Sequence, residues 1–425
     1  MSTRPFFRRD MVHPFGRGVG TSQRPEYMQG FMQLQCFCWA RTPGRGRNGR
    51  FMEKGLPFMR KNGENQSPRI HGRIGLINMD WTLTSLSSHF DSRLDGIMRQ
   101  AARHLLPDSD TSGMLEYLLS QKGKRIRPTL VLGTHLAFGG DGETALPLAA
   151  AVEMIHSASL IHDDIEDMDE FRRGQPSVWK RFGVRQALNL GDLLLPAGFF
   201  LFLESPVDAA LRVRVLTRIS RELMRLVEGQ MTEIAGVNQE PSGWSDYRNA
   251  CAGKTGALFR ICLVCPAELC LSMDGNLSGA AEAAASLPLL DELGTQLGQL
   301  FQSRDDLIDI TGRKEGRFAL GDLLEGKLSL LIVLASERLT GAARREFFTM
   351  HQTSRPRKDE AMALRMRDIL FAQGIVDHAH VLLARDIELF EARMRELHAP
   401  GLISLLEDLL RRLSLEPESE KQPPT

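Results

Sequence analysis

Two runs of aspartate in this chain share one spacing. Asp163, Asp164 and Asp167 form Asp-Asp-x-x-Asp, and Asp305, Asp306 and Asp309 repeat the pattern 142 residues later. Within each run the first and last carboxylates stand about one helical turn apart and would share a helix face. With nothing between them, a close pair would repel by about 4 kcal/mol at an effective dielectric near 20. A cation is the natural remedy. Hard carboxylate oxygens suit magnesium, which keeps some of its waters and shares its coordination with a substrate's phosphates. Alone, either run reads as a solvated acidic face. Facing each other across a diphosphate, with several divalent ions between them, the two would form a clamp.

The basic residues have complementary positions. Lys124 and Arg127 lie in Gly123-Lys-Arg-Ile-Arg-Pro128, Arg172 and Arg173 directly follow the first acidic run, and Lys254-Thr255 comes later, followed by Arg317 and Lys327. Singly each is an ordinary surface charge. Together they offer guanidinium forks and ammonium point charges enough for two diphosphates. His156, Ser159, Asp163 and Asp167 fall on one stripe, small or apolar above and anionic below. Other phosphate motifs fail. Gly253-Lys254-Thr255 has Arg248 where a P-loop needs its first glycine, and Gly16, Gly18 and Gly20 lack a strand-turn-helix context. His162 beside Asp163 suggests the His-Asp pair of metal-dependent phosphohydrolases, but that reading leaves the second acidic run and the arginines unused.

Helices must carry these groups. Between Pro147 and Gly174 there is no proline or glycine, so a long helix is expected over about 145–171. From Leu83 onward nearly every segment has helical period and none alternates long enough to argue for a sheet. Helices are expected near 84–105, 111–121, 126–138, 184–203, 207–236, 244–273, 279–310, 325–339, 342–350, 358–373, 375–397 and 399–413. The class is all-α, one large helical domain over 79–415, with a flexible tail at 416–425. Gly294 and Gly298, four apart inside the helix over 279–310, point to close helix packing.

Lys+Arg and Asp+Glu balance at 53 each, but residues 1–78 hold 14 of the basic residues and 4 of the acidic ones, so the remainder is acidic. This glycine-broken basic stretch is expected to be a disordered extension, with Met79 opening the folded protein. An organelle transit peptide is the weaker reading, so the expected location is cytoplasmic. No interleaved aromatic pattern supports nucleic-acid binding. No run of 18 apolar residues argues for a membrane span. Cys262 and Cys265 have metal or redox spacing but no second pair, and with Cys270 they read as buried reduced thiols.

Six motifs in order resemble the trans-isoprenyl diphosphate synthases, also called the polyprenyl synthetase family. They are Gly-Lys-x-x-Arg-Pro (123–128), His-x-x-Ser-Leu-x-His-Asp-Asp-x-x-Asp (156–167), Arg-Arg-Gly-x-Pro (172–176), Lys-Thr (254–255), Phe-Gln-x-x-Asp-Asp-x-x-Asp (301–309) and Asp-Leu-x-Glu-Gly-Lys (322–327). The resemblance spans roughly Leu83 to Leu413. It implies an isoprenoid synthase bundle with a central substrate cavity, a homodimer, and a prenyltransferase of isoprenoid biosynthesis. Asp163, Asp164, Asp167, Asp305, Asp306 and Asp309 would hold Mg²⁺ ions on an allylic diphosphate, with Arg172, Lys254 and Lys327 contacting the same group. Lys124, Arg127, His156 and Arg173 would bind isopentenyl diphosphate, while Thr255 and Gln302 line the reacting end. Asp163, Asp164, Lys254 and Asp305 are the expected catalytic centre. Two departures stand out: Arg317 replaces the family's lysine after the second run, and Leu-Ser-Leu-Leu follows Lys327 where threonine and proline are common.

In this family the chain grows along the helix above the first aspartate, here past Ala158, Ser159, Ile155, Met154 and Ala151. Alanine and serine do not floor the pocket, so the expected product is geranylgeranyl or longer. A class I terpene cyclase would not need Lys124, Arg127 and Arg173. A non-catalytic subunit of a heteromeric prenyltransferase should have lost motif residues that are all present.

Overall fold

The computed structural model describes residues 81–105, 110–241, 243–272, 277–311, 320–355 and 357–413. The expected extension at 1–78, the tail and Arg317 lie outside the described residues. Sixteen α-helices are described, beginning with α1 (Leu83–Leu105), α2 (Asp110–Ser120), α3 (Ile126–Ala137) and α4 (Gly142–Glu166). They continue as α5 (Val178–Phe182), α6 (Val184–Leu203), α7 (Ala209–Ala235), α8 (Trp244–Lys254), α9 (Gly256–Leu269) and α10 (Leu277–Thr311). The last are α11 (Gly321–Glu325), α12 (Leu330–Arg338), α13 (Gly341–His351), α14 (Glu360–Ala372), α15 (Ile375–Met394) and α16 (Pro400–Leu413).

The centre is apolar helix wrapped in amphipathic helix. Every residue of α9 is buried, as expected of a helix that is apolar on all sides. It packs against α3, α4, α7, α8 and α10. Helix α4 starts at an Asp141 cap whose carboxylate accepts the Thr144 amide at 2.9 Å. It is buried without a break from Ala145 to Ile155, then only at Ala158, Ile161 and Asp164. So its acidic end emerges at the edge of the core. Helices α9 and α10 approach through glycine: a side chain on Gly298 would overlap the Gly256 backbone, and one on Gly294 would lie 2.7 Å from the Arg260 Cα.

Four expectations about elements need correction. The helix expected over 145–171 stops at Glu166, and Met168 is left-handed (φ 56°). Glu166, Asp167, Asp169 and Glu170 crowd a helix C-terminus, whose dipole already disfavours anions. The chain then forms the sheet the periodicity did not anticipate, a hairpin pairing β1 (Phe171–Arg172) with β2 (Gln175–Pro176). Arg173 and Gly174 both take positive φ at its tip, the geometry that matches strand twist. The helix expected over 244–273 breaks at Thr255, and α8 and α9 diverge by 48°. The helix expected over 325–339 is interrupted after α11, where Gly326 (φ 74°) turns the chain, so Lys327 stands on a loop.

The buried thiols match expectation: Cys251, Cys262, Cys265 and Cys270 are free and buried. Burial pushes the Cys262 and Cys270 thiols up to about 12. Although no wholly apolar run of 18 exists, α4 and α6 are on average long and apolar enough to cross a bilayer. In α4, 72% of the most apolar window is buried inside the fold, against 44% in α6. Packing thus accounts for α4, while α6 keeps an apolar outer face.

Candidate active site

The end of α4 supplies the first acidic group, and its three carboxylates have different surroundings. Asp163 is partly buried, and burial raises its carboxyl to about 6, with Lys254 pulling it down and Asp167 pushing it up. Asp167 caps α4 and accepts the Lys327 ammonium at 2.8 Å. Asp164 is buried and takes the Arg172 guanidinium, with Nε donating at 2.7 and 2.8 Å and a terminal nitrogen at 2.6 Å. Arg172, expected on a diphosphate, therefore also bridges the hairpin to α4.

The second run sits at the far end of α10. Asp305 is exposed, with Arg304 3.7 Å away. Asp306 is buried and accepts three donors, the Tyr247 hydroxyl (2.9 Å), the Leu330 amide (2.7 Å) and the Gln302 amide (2.9 Å). Burial raises its carboxyl all the same. Asp309 is buried and accepts the Asp322 amide at 2.9 Å. Ser329 directly precedes α12, whose first amide, that of Leu330, is the one that reaches Asp306.

Cations gather at the first end. Lys254 ends α8, where a helix dipole favours positive charge, and its Nζ meets Glu233 at 2.9 Å. Burial works against its charge, but Glu233 and Asp163 outweigh burial and raise its pKa. Lys327 bridges Asp167 and Glu325 (3.0 Å), and burial is again outweighed, by Asp167, Asp322 and Glu325. Thr255 donates to Gln302 at 3.2 Å, and Gln302 donates on to Asp306. Arg127 feels the charges of both Asp163 and Asp305. Of these cations Arg127 senses both acidic ends, while Lys254 and Lys327 pair with the first through Asp163 and Asp167.

A second positive group flanks the first. Arg127 approaches His156 Nε2 at 3.0 Å and lies over the Phe259 ring at 5.1 Å. Burial, then the Arg127 charge, hold the His156 pKa well below its usual value. A guanidinium cannot accept, so the ring accepts at Nε2 and carries its proton on Nδ1. That buried nitrogen has no protein partner. Arg173 donates to the Gln121 carbonyl at 2.5 Å, and a side chain on Gly123 would overlap its guanidinium. Lys124 is exposed beside them. His162 turns away from this group, with Nε2 3.6 Å from Asp192 on α6.

The donors fit magnesium rather than a softer ion, since the carboxylates of both runs are hard oxygen ligands. Among the described residues no three His, Cys, Asp or Glu side chains already converge on one point. An ion held here would complete its shell with diphosphate oxygens and water, the habit of Mg²⁺.

Several supporting residues carry no motif signal. Tyr247 and Glu233 lie outside the six motifs, and Asp322 lies in the last of them but acts through its backbone amide. Glu153 and Asp95, which grip Arg125 at 2.6 and 2.7 Å, offered one clue: Glu153 is three residues before His156, on the same face.

The polyprenyl synthetase profile matches residues 109–367. A geranylgeranyl pyrophosphate synthase of Geoglobus acetivorans is 29% identical over 324 residues, covering 74% of this chain and 96% of that protein. Among solved structures, geranylgeranyl pyrophosphate synthetase from Pyrococcus horikoshii is 27% identical with a TM-score of 0.65, covering 78% of this chain and 99% of that one. A polyprenyl synthase from Caulobacter crescentus, crystallised with calcium and isoprenyl diphosphate, matches at 27% identity and TM-score 0.65 over 78% of this chain and 96% of that one. Other relatives bear the names of farnesyl and geranylfarnesyl diphosphate synthases. The chain belongs to the polyprenyl synthetase family and is a prenyl diphosphate synthase, an enzyme that transfers prenyl groups.

Proposed function

We propose that this protein is a Mg²⁺-dependent trans-prenyltransferase that condenses isopentenyl diphosphate with an allylic diphosphate, giving geranylgeranyl diphosphate or a longer product. The observation that carries it is the ion pair from Asp167 to Lys327, with Lys254 beside Asp163, which ties the first acidic end to the segment that follows the second. Asp163, Asp167 and Asp305 would hold the ions. Asp164, Asp306 and Asp309 would support them, since they are buried and their carboxylates already take protein donors. When bound, Mg²⁺ would neutralise the allylic diphosphate and make it a better leaving group. Arg172, Lys254 and Lys327 would bind the same diphosphate. Lys124, Arg127, Arg173 and the orphan Nδ1–H of His156 would hold isopentenyl diphosphate so that its double bond faces the allylic carbon. Thr255 and Gln302 would present fixed dipoles at the reacting end, and the apolar walls would keep water from the carbocation.

Buried Ala158 and Ala151, with Ile155 packed at Gly198 of α6, leave no aromatic floor on α4. Ala158→Phe should shorten the product. Exposed apolar side chains on α7 (Met224, Val227, Met231, Ile234) and on α6 (Val184, Leu188, Leu203) support a homodimer, which sedimentation would test. A cytoplasmic location agrees with the four free thiols among the described residues; a fluorescent fusion of the whole chain found inside an organelle would overturn it.

The deciding assay gives purified protein Mg²⁺, labelled isopentenyl diphosphate and allylic starters of several lengths. Incorporation lost on chelation supports the synthase. A cyclic hydrocarbon without incorporation would make it a cyclase, and no product at all would make it a silent subunit.

A further inference from the structure

Arg125 stands between Lys124 and Arg127 but points the other way. As the residue preceding α3 it is left-handed (φ 51°, ψ 29°), and no side chain caps the helix there. A residue with a side chain holds that conformation only when its surroundings impose it. Here they do. One terminal nitrogen donates to Glu153 Oε1 of α4 at 2.6 Å and the other to Asp95 Oδ1 of α1 at 2.7 Å, with the side chain only 7% exposed. Asp91 of α1 lies 3.6 Å from its Nε. Lys122 Nζ meets the same two α1 carboxylates, Asp91 at 2.9 Å and Asp95 at 3.1 Å. The backbone is tied as well, since the Thr129 amide and hydroxyl both donate to the Arg125 carbonyl, at 3.1 and 2.6 Å. Three carboxylates from two helices thus anchor the loop that carries Lys124 and opens the helix that carries Arg127.

Glu153 also belongs to the helix bearing His156, one turn earlier; burial lowers the pKa of Arg127 and of Arg173, and the Glu153 charge offsets part of that. The same carboxylate fixes the loop from behind and supports the cations in front.

We propose that Arg125 is a positioning residue for the non-allylic substrate: clamped between Asp95 and Glu153, it holds the left-handed turn that sets Lys124 and Arg127 against His156 and Arg173. It never touches substrate. The inference rests on the reading that Lys124, Arg127, His156 and Arg173 bind isopentenyl diphosphate. A planar fork can satisfy two carboxylates at once where an ammonium cannot keep the same geometry, so lysine should replace it only in part.

The test is steady-state kinetics with both substrates varied, alongside thermal melting, for the whole chain and for Arg125→Met, Arg125→Lys, Asp95→Asn and Lys124→Ala. Arg125→Met should raise KM for isopentenyl diphosphate about tenfold, since small misplacement of a binding group is costly. Its KM for the allylic substrate and its kcat should stay within about twofold, the signature of lost uniform binding at one subsite. Arg125→Lys should recover part of the loss. A folded Arg125→Met protein with both KM values unchanged, or both raised equally, would make the residue merely structural and overturn the proposal. Should that variant fail to fold, Asp95→Asn keeps the Arg125–Glu153 pair and must show the same one-sided rise, or the proposal is wrong. If Lys124→Ala leaves the isopentenyl KM unchanged, the subsite assignment fails and the inference falls with it. If Lys124→Ala raises it while Arg125→Met and Asp95→Asn do not, only the positioning claim is refuted.

Discussion

The two Asp-Asp-x-x-Asp runs have the same letters but different local chemistry. At the end of α4, Asp163 and Asp167 face ammonium groups from distant segments, Lys254 and Lys327. At the end of α10, Asp306 and Asp309 accept backbone amides from the segment that follows, Leu330 and Asp322. The middle aspartate is buried in both, held by Arg172 in one and by Tyr247, Gln302 and Leu330 in the other. One spacing therefore serves two ends: the first run gathers cations, and the second folds the following loop and leaves Asp305 exposed.

Substitution should separate these duties. Asp163→Ala should lower kcat/KM about a thousandfold, the several kcal/mol expected from losing metal-assisted charge stabilisation, with little change in melting temperature. Asp306→Ala should do the reverse in emphasis. It strands three donors in the interior and should destabilise by about 1–3 kcal/mol in denaturant unfolding. Equal stability losses for the two variants would erase the distinction.

The pH dependence sharpens it further. Burial holds the Asp163 carboxyl near 6, so at pH 7.5 it is ionised and ready for a cation, and below 6 it carries a proton that the ion must displace. The Mg²⁺ concentration for half-maximal rate should therefore climb about tenfold per pH unit once pH falls below 6. A requirement flat from pH 7.5 to 5 would mean that Asp163 is not a ligand. The smallest effect belongs to Tyr247→Phe, which removes one of three donors to Asp306 and should cost about 1 kcal/mol of stability with kcat nearly unchanged.

Much of this was legible in the chain. The helical period gave the all-α class, and the glycine pair at 294 and 298 foretold the close crossing of α9 and α10, since only backbone fits between them. What stayed hidden depended on distant partners. The end of α4 at Glu166 follows from crowded anions that periodicity ignores. Lys327 was expected within a helix, but Gly326 turns left-handed and sets it on a loop against Asp167. The backbone amides of Leu330 and Asp322 that hold Asp306 and Asp309 stayed hidden, because an amide has no side-chain signature.

The central claim is that both acidic ends hold one diphosphate through shared divalent ions. The most direct measurement is a crystal structure with Mn²⁺ and a non-reactive allylic diphosphate analogue, with the ions located by anomalous scattering. The account predicts ion peaks at Asp163 and Asp167 and a further peak at Asp305, all touching a single diphosphate. Peaks confined to one run, or a diphosphate bound away from both, would contradict it.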